Sequence, residues 1–229
     1  MDNYGKKLSQ YLIQFMYERR IERIEEVLAK RTKHITIVLE DIYQSQNASA
    51  VLRTCDCFGI QDVHIIENLN TYNINPDVSM GSDKWLNLTY HNQTGNNSKA
   101  CISKLRKKGY RIVATTPHTD DVNLESFDIE KGKFALVFGS EKPGLSEEIM
   151  EEADEYLRIP MHGFTESFNI SVSAAVILHH LVWKLHQSDI NWQLNADQYE
   201  ALKLDWIIKS LKKPELLIKS FDKLNPHLK

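Results

Sequence analysis

Residues 34–67 read HITIVLEDIYQSQNASAVLRTCDCFGIQDVHIIE, and this stretch decides the fold. Residues 34–40 are apolar and β-branched, which is typical of a buried strand. After polar turn residues, residues 47–59 carry apolar side chains at helical spacing, with Asn47 as the expected N-cap and Gly59 expected just beyond the helix end. The sequence DVHIIE is typical of a second strand. A strand, a helix and a strand in this order predict a parallel α/β unit.

The same alternation continues further along the chain. A helix rich in lysine and arginine is expected from Ser98 to Lys108, a short acidic helix near Ser146, and a long helix from Ser167 to about His186. Strands are expected in the sequences YRIVATT, KFALVFGS and EYLRIPM. The pattern therefore predicts an α/β fold with a mostly parallel sheet and helices on both of its faces.

Helical extensions are expected on both sides of this core. Residues from Leu8 to Lys30 carry apolar side chains at loose helical spacing among many charges, which predicts an amphipathic N-terminal helical arm. A separate helix is expected from about Asp197 to Lys212, ended by Pro214. The expected organisation is an N-terminal extension in residues 1–33, an α/β domain in residues 34–190 and a C-terminal extension in residues 191–229.

The charges of the chain are segregated. Residues 1–33 carry eight Lys and Arg against five Asp and Glu, and residues 201–229 carry seven against three. The residues between them carry 13 against 23, and the whole chain has a net charge of −3. The basic ends are candidates for binding a polyanion, and terminal helices that are merely solvated are the alternative.

Composition limits the class of protein. With 229 residues the chain is long enough for one substantial α/β core, and no apolar run reaches the roughly 18 residues that a membrane span needs. Residues 1–10 are polar, without the apolar core of a signal peptide, so we expect a soluble cytoplasmic protein. The three cysteines, Cys55, Cys57 and Cys101, form no CxxC pair, which favours reduced thiols and no metal site.

Three segments that follow predicted strands are candidates for a ligand site, because open α/β sheets bind ligands at the carboxyl ends of their strands. They are Thr115–His118, Phe138–Gly144 and Ile159–Asn169. Taken singly, each can also be an ordinary turn. No GxGxxG or GxxxxGK[ST] sequence follows a predicted strand, which disfavours a Rossmann dinucleotide site and a P-loop.

The long helix near the C-terminal end of the core is unusual in composition. Ile170, Ala174, Ile177 and Leu181 form one apolar stripe, and further apolar residues fill most of the remaining surface, so we expect this helix to be buried nearly all round. Asn169 and Ser167 stand where the helix begins and are able to cap it. On the earlier helix, Arg53 lies off the apolar stripe and is expected to point away from the core.

Three motifs, in this order, resemble the SpoU type of the SPOUT RNA methyltransferases. The first is NASAVLRTCDCFG, with Asn47 and Arg53 at the family spacing, and the second is LVFGSEKPGLSEE, with Gly139 and Glu141. The third is IPMHGFTESFNISVSAAVILH, whose Ser167 and Asn169 lead into the small-residue helix. The resemblance covers most of residues 35–180.

The resemblance implies a fold, a cofactor and an assembly. The C-terminal part of the sheet would be threaded into a deep trefoil knot, S-adenosylmethionine would be bound by the knot loops, and a homodimer would complete the site. Phe168 stands where most relatives have leucine. The implied cofactor-binding residues are Thr115, Thr116, Gly139, Ile159 and Phe168, and the implied catalytic residues are Asn47, Arg53, Glu141, Ser167 and Asn169.

The implied reaction is methylation of a ribose 2'-hydroxyl in RNA. The segment MGSDKW at Met80–Trp85 and the short helical extensions resemble the branch that methylates guanosine 18 in the D-loop of tRNA. Other members of the branch carry several arginines just beyond the third motif, whereas this chain has HHLVWKLHQ. RNA contacts are therefore expected mainly from the ends, at Arg19, Arg20, Arg23, Lys212 and Lys213, with further contributions from Lys6, Lys7, Lys203 and Lys209. Lys84 of the MGSDKW segment is a further expected RNA contact.

Two other functions remain open from the sequence. The chain resembles SpoU methyltransferases in general, so ribosomal RNA or another tRNA ribose is an alternative substrate. A knotted RNA-binding protein without catalytic activity is the alternative from a different class. All five positions of the implied catalytic set are filled as the family fills them, which favours an enzyme.

Overall fold

The computed structural model of the chain describes residues 1–93, 95–117, 122–140 and 142–228. These residues form two compact units. Residues 32–192 make the larger unit, which contains the sheet. Residues 1–31 and 193–228 together make the smaller one, which is helical.

The sheet of the larger unit is parallel throughout, as the sequence predicts. The strands of the described residues are β1 Ile35–Glu40, β2 Asp62–Ile66, β3 Asn87–His91, β4 Arg111–Thr115, β5 Val122–Asn123, β6 Phe134–Phe138 and β7 Glu155–Arg158. They lie in the order β3-β2-β1-β6-β4-β7-β5, and every neighbouring pair is parallel. The carboxyl ends of these strands therefore share one edge. The trefoil knot implied by the family resemblance stays a prediction.

Helices account for most of the remaining described residues. They are α1 Asn3–Ile13, α2 Glu18–Leu28, α3 Ser45–Cys57, α4 Pro76–Ser79, α5 Asn97–Lys107, α6 Glu147–Glu152, α7 Ile170–His186, α8 Ala196–Ser210 and α9 Pro214–Leu224, with short 3-10 turns at Ser82–Trp85, Leu124–Ser126 and Pro226–Leu228. Within the part of the chain that the structure describes, no helix combines the length and the apolar character needed to cross a membrane.

Helices cover both faces of the sheet, which confirms the layered α/β prediction. Alternate residues of β1 point to opposite faces because side chains alternate along a strand. Ile37 and Leu39 belong to one apolar cluster, together with residues of α3 and α7. Val38 belongs to a second cluster, together with residues of α5 and α6. The loops between strands and helices are consequently presented at the ends of the sheet.

The edge strand β3 is not predicted by any pattern in the sequence. Its residues NLTYH carry no apolar run, and only His91 among them is buried. A strand at the edge of a sheet needs less apolar surface than a central one, because it pairs on one side and is partly solvated. The pairing of β3 with β2, rather than its own composition, determines its conformation.

The N-terminal arm is helical, as the sequence predicts, and it consists of two helices rather than one continuous helix. A continuous helix from Leu8 to Lys30 would be about 35 Å long, whereas α8 is only about 22 Å long. The chain turns between α1 and α2, and both helices pack against α8. Leu12 of the first helix and Leu28 of the second are both buried.

Pro214 does not end the preceding helix. Helix α8 ends at Ser210, and Pro214 is instead the first residue of α9, which the sequence analysis missed. Proline suits the first turn of a helix, where its missing N–H has no partner within the helix. Helix α9 packs against α1, and the Tyr4 hydroxyl donates a hydrogen bond of 2.9 Å to Asp222.

Helix α7 is not buried all round within a single chain. The stripe of Ile170, Ala174, Ile177 and Leu181 is buried as expected. On the other side, the side chains of Val172, Val176 and Trp183 are 43%, 37% and 61% exposed. The helix packs against α3 and the sheet on one side only, so apolar surface remains uncovered on the other.

Candidate active site

A cavity of about 310 Å³ lies at the carboxyl ends of β4, β6 and β7. Its lining includes all five residues that the family resemblance implies as cofactor-binding: Thr115, Thr116, Gly139, Ile159 and Phe168. They come from the three segments that follow strands β4, β6 and β7. His118, at the end of the first segment, lies outside the described residues.

The strand ends hold the first segment firmly. The Thr115 hydroxyl donates a hydrogen bond of 2.8 Å to the Val137 carbonyl on β6, and the Thr116 backbone N–H donates one of 3.1 Å to the Leu157 carbonyl on β7. These bonds continue the sheet pairing beyond the last residue of β4. The cavity floor is therefore built on the sheet itself.

The second segment folds back on itself at Gly139. A Cβ added at this position would lie 2.4 Å from the carbonyl carbon and oxygen of Gly144, so no other residue fits without displacing backbone. The two ends of the turn thus touch. Pro143, Gly144 and Leu145 beyond this contact form one wall of the cavity. Glu141, an expected catalytic residue, lies outside the described residues.

The third segment connects the cavity to helix α7. Ser167 lines the cavity. Asn169 caps the helix as expected, since its Oδ1 accepts hydrogen bonds from the Ser171 backbone N–H and hydroxyl at 2.9 and 2.6 Å. Its Nδ2 donates a bond of 3.1 Å to Oδ1 of Asn47. One side chain therefore fixes the start of α7 and ties it to α3.

Asn47 is not the N-cap of its helix, contrary to the expectation. Helix α3 begins at Ser45 with Gln44 as the N-cap, which places Asn47 inside the first turn. There its side chain donates to the Gln44 side chain at 3.1 Å and accepts from Asn169. The contact with a residue 122 positions away is tertiary, so local capping rules do not reveal it.

Arg53 is exposed on α3, pointing away from the core as the sequence predicts. It lies in a groove between α3 and α7, whose lining also includes Phe58, Ser171, Val172 and Val176. Arg53 does not line the cavity itself. The cavity and the groove lie on opposite sides of the first turns of α7, because Ile170 and Ser173 line one and Ser171 and Val172 line the other.

The residues expected to bind RNA are exposed but belong to different units. Arg19, Arg20 and Arg23 lie on α2, and Lys212 and Lys213 lie between α8 and α9, all in the smaller unit; Lys84 lies in the larger one. Two lysines expected to assist them are held in ion pairs, Lys203 with Glu25 at 2.5 Å and Lys209 with Asp205 at 2.7 Å. A phosphate would have to compete with these carboxylates, and at Arg23 it would likewise compete with Glu26, which pairs with that arginine at 3.2 Å.

A separate buried cluster lies beneath α5. Nδ1 of His64 and Nε2 of His91 are 2.9 Å apart and share one hydrogen bond, and the Cys101 thiol lies close to both. Burial, with the nearby His91 and Lys108, lowers the pKa of His64 to about 4. Burial likewise lowers the pKa of His91. Its members lie on β2, β3 and α5, so no local sequence pattern indicates that they meet.

Some cavity residues have no recognisable sequence signal. Met150 of α6 and Ile177 of α7 line the cavity, although local pattern assigns them only to helices. Glu166 and Arg158 add a carboxylate and a guanidinium to the lining. Nothing in the spacing of these residues indicates that they share a site, since they meet only after the sheet has formed.

The fold and the site define a class of protein: an α/β enzyme that binds a small organic ligand where parallel strands end. Residues 34–179 match the SpoU rRNA Methylase family, and the chain belongs to this family. It is 42% identical, over 96% of its length and 100% of the relative's, to the tRNA (guanosine(18)-2'-O)-methyltransferase of Borreliella burgdorferi.

Solved structures agree with this assignment. The TrmH/SpoU tRNA modifying enzyme of A. aeolicus matches with a TM-score of 0.75 and 28% identity, over 86% of this chain and 98% of that one. The SpoU methyltransferase AviRb from Streptomyces viridochromogenes, solved in complex with AdoMet, shares the fold with a TM-score of 0.57 and 20% identity, over 71% of this chain and 62% of that one.

Proposed function

We propose that this chain transfers a methyl group from S-adenosylmethionine to the 2'-hydroxyl of guanosine 18 in tRNA. The main support for this proposal is that the three family motifs lie together in the structure. Residues of the second and third motifs line one cavity, and Asn169 of the third motif donates a hydrogen bond to Asn47 of the first. Similarity to a guanosine-18 methyltransferase over nearly the whole chain supports the choice of nucleotide.

The cavity suits the proposed donor. Its volume of about 310 Å³ lies at the lower end of the usual range of roughly 300–1000 Å³ for small-molecule sites. Ile159, Phe168 and Ile177 offer apolar surface to an adenine ring, while Arg158 and Glu166 offer opposite charges to the carboxylate and ammonium groups of a methionine moiety. S-adenosylmethionine would supply a methyl group whose carbon the ribose oxygen attacks in line, and the sulfur would leave as the thioether of S-adenosylhomocysteine.

The chain must hold the ribose oxygen in line and accept its proton. Arginine remains protonated in proteins, so Arg53 is a poor base. We assign it instead to gripping an RNA phosphate, which orients the hydroxyl and allows that phosphate to assist deprotonation. Asn47 and Ser167 would position the ribose and the donor by hydrogen bonds, Asn169 would hold the start of α7, and Glu141 would fix the loop around them.

We further propose that two chains associate through α7. The exposed stripe of Val172, Val176 and Trp183 presents apolar surface that a second copy would cover, and it borders the groove that contains Arg53. A dimer would thus place Arg53 beside residues of the partner subunit. Sedimentation of the purified protein should give the mass of two chains, and the mass of a single chain at micromolar concentration would exclude this assembly.

Because its proposed substrate is tRNA, the enzyme would act in the cytoplasm.

The test of the proposed function is a methylation assay with defined RNAs. Purified protein and labelled S-adenosylmethionine should methylate a tRNA transcript at guanosine 18, and the same transcript with a 2'-deoxy sugar at that nucleotide should remain unlabelled. Label in ribosomal RNA or at another tRNA ribose would keep the chemistry and change the substrate. Donor binding without methylation of any of these RNAs would instead favour the non-catalytic RNA-binding alternative.

A further inference from the structure

Glu40 is a buried carboxylate at the end of β1, in a strand otherwise filled mostly by apolar residues. Its side chain is only 2% exposed. Among the residues that the structure describes, it forms no ion pair with a lysine or arginine. An isolated carboxylate in such a place is costly, so its hydrogen-bond partners must offset the lost hydration.

Those partners come from two separate elements. Oε2 of Glu40 accepts a hydrogen bond of 2.8 Å from the Ser146 backbone N–H, and Oε1 accepts one of 2.7 Å from the Ser146 hydroxyl. Oε1 also accepts a bond of 2.5 Å from the hydroxyl of Ser98 on α5. Both carboxylate oxygens of Glu40 thus accept hydrogen bonds, and two of the three bonds come from Ser146.

Ser146 is where the cavity wall meets helix α6. The loop that begins at Gly139 ends here, and the preceding residue, Leu145, lines the cavity. Ser146 is also the N-cap of α6, and its carbonyl accepts the backbone N–H of Met150, another lining residue, at 3.0 Å. Holding Ser146 therefore determines the positions of lining residues on both sides of it.

The two ends of the loop are secured differently. At its start, the sheet holds Phe138 through the pairing of β6 with β1, and Gly139 packs against Gly144. At its far end, the described hydrogen bonds to the sheet run through the Glu40 carboxylate, and Leu145 also packs against the apolar cluster that contains Val38 and Val137. Without those hydrogen bonds the far end of the wall from Pro143 to Leu145 would be held by apolar packing alone.

We propose that Glu40 is a positioning residue for the donor cavity: its buried carboxylate holds Ser146 and thereby positions the cavity wall from Pro143 to Leu145 to bind S-adenosylmethionine. This inference rests on the proposed function, since it requires that the donor occupies the cavity. Glu40 does not line the cavity, so it acts through Ser146 and not by touching the donor.

The test uses two serines that share the same carboxylate. Ser146→Ala removes the hydroxyl bond on the loop side, and Ser98→Ala removes the matched bond on the α5 side. Each variant loses its bond to Glu40 and one further hydrogen bond, which Asn68 Nδ2 donates to the Ser98 hydroxyl and the Ile149 N–H donates to the Ser146 hydroxyl. Both should therefore be destabilised to a similar degree. Only Ser146→Ala and Glu40→Ala should weaken donor binding, by about tenfold or more for Glu40→Ala.

Calorimetric titration with S-adenosylmethionine, together with kcat and the donor KM, distinguishes positioning from general destabilisation. Glu40→Gln should recover part of the affinity, because its amide oxygen can accept the Ser146 N–H while the hydroxyls rotate to accept from its NH₂. Tight tRNA binding by every variant serves as the folding control. If Glu40→Ala does not fold, the donor affinities of Ser98→Ala and Ser146→Ala still test whether the contact with Ser146 positions the cavity wall.

Two outcomes overturn the inference. One is wild-type donor affinity in Glu40→Ala or in Ser146→Ala, and the other is an equal loss of affinity in Ser98→Ala and Ser146→Ala. If the wild-type protein itself binds no S-adenosylmethionine, the proposed function fails instead, so the two failures are distinguishable.

Discussion

Replacing Arg53 with alanine should lower the turnover number by about 10²–10³-fold, the usual cost of removing one preorganised group that stabilises the transition state. The side chain is exposed on α3 and lies in the groove beside α7, outside the donor cavity. The substitution therefore removes no core packing and no donor contact. Single-turnover methylation of tRNA, melting temperature and donor affinity are the three measurements, and only the first should change greatly.

Arg53→Lys is the matched control for this prediction. Lysine keeps the positive charge but lacks the planar fork that binds a phosphate through two parallel hydrogen bonds. If charge alone matters, the lysine variant should recover most of the lost rate, and if orientation matters it should remain close to the alanine variant. A turnover of Arg53→Ala within about twofold of wild type would contradict the assigned role, because it corresponds to less than about 0.5 kcal/mol.

Reversing the charges of Arg19, Arg20, Lys212 and Lys213 to glutamate should greatly weaken tRNA binding. Each phosphate that the variant no longer neutralises removes a counterion-release contribution, so the slope of log K against log salt should become shallower by roughly three for four phosphates. All four residues are exposed in the smaller unit, whereas the donor cavity is built entirely from residues of the larger one. Donor affinity should therefore stay unchanged.

A control for net charge is available on α5. Lys99, Lys104 and Lys107 on that helix and Lys108 just beyond it are also exposed, and reversing these four changes the net charge of the chain equally. The terminal reversal should weaken tRNA binding far more than the α5 reversal if the ends supply the phosphate contacts. Equal weakening by both sets would show that only overall charge matters. Light scattering on each variant checks that the mass of the assembly has not changed.

Local sequence determined most of the secondary structure of the larger unit and the segments that line its cavity. The strands β1, β2, β4 and β6 lie where apolar runs predict them, because a buried parallel strand requires such a run whatever its neighbours are. Strand β7 lies within the predicted strand EYLRIPM, although only Leu157 among its four residues is buried. The five implied donor residues share one cavity for a related reason: parallel strands that follow one another in a layered fold end at the same edge.

Tertiary structure decided the features in which distant residues meet. The bond between Asn47 and Asn169 joins two helices 122 positions apart, and the Glu40 carboxylate reaches Ser146 across 106 positions. The helical arm predicted at the N-terminus is divided into two helices, each of which buries apolar residues and packs against the short helix α8. Periodicity shows which face of an element is apolar, but it carries no information about which other element covers that face, so the exposed stripe of α7 appeared only when the chain had folded.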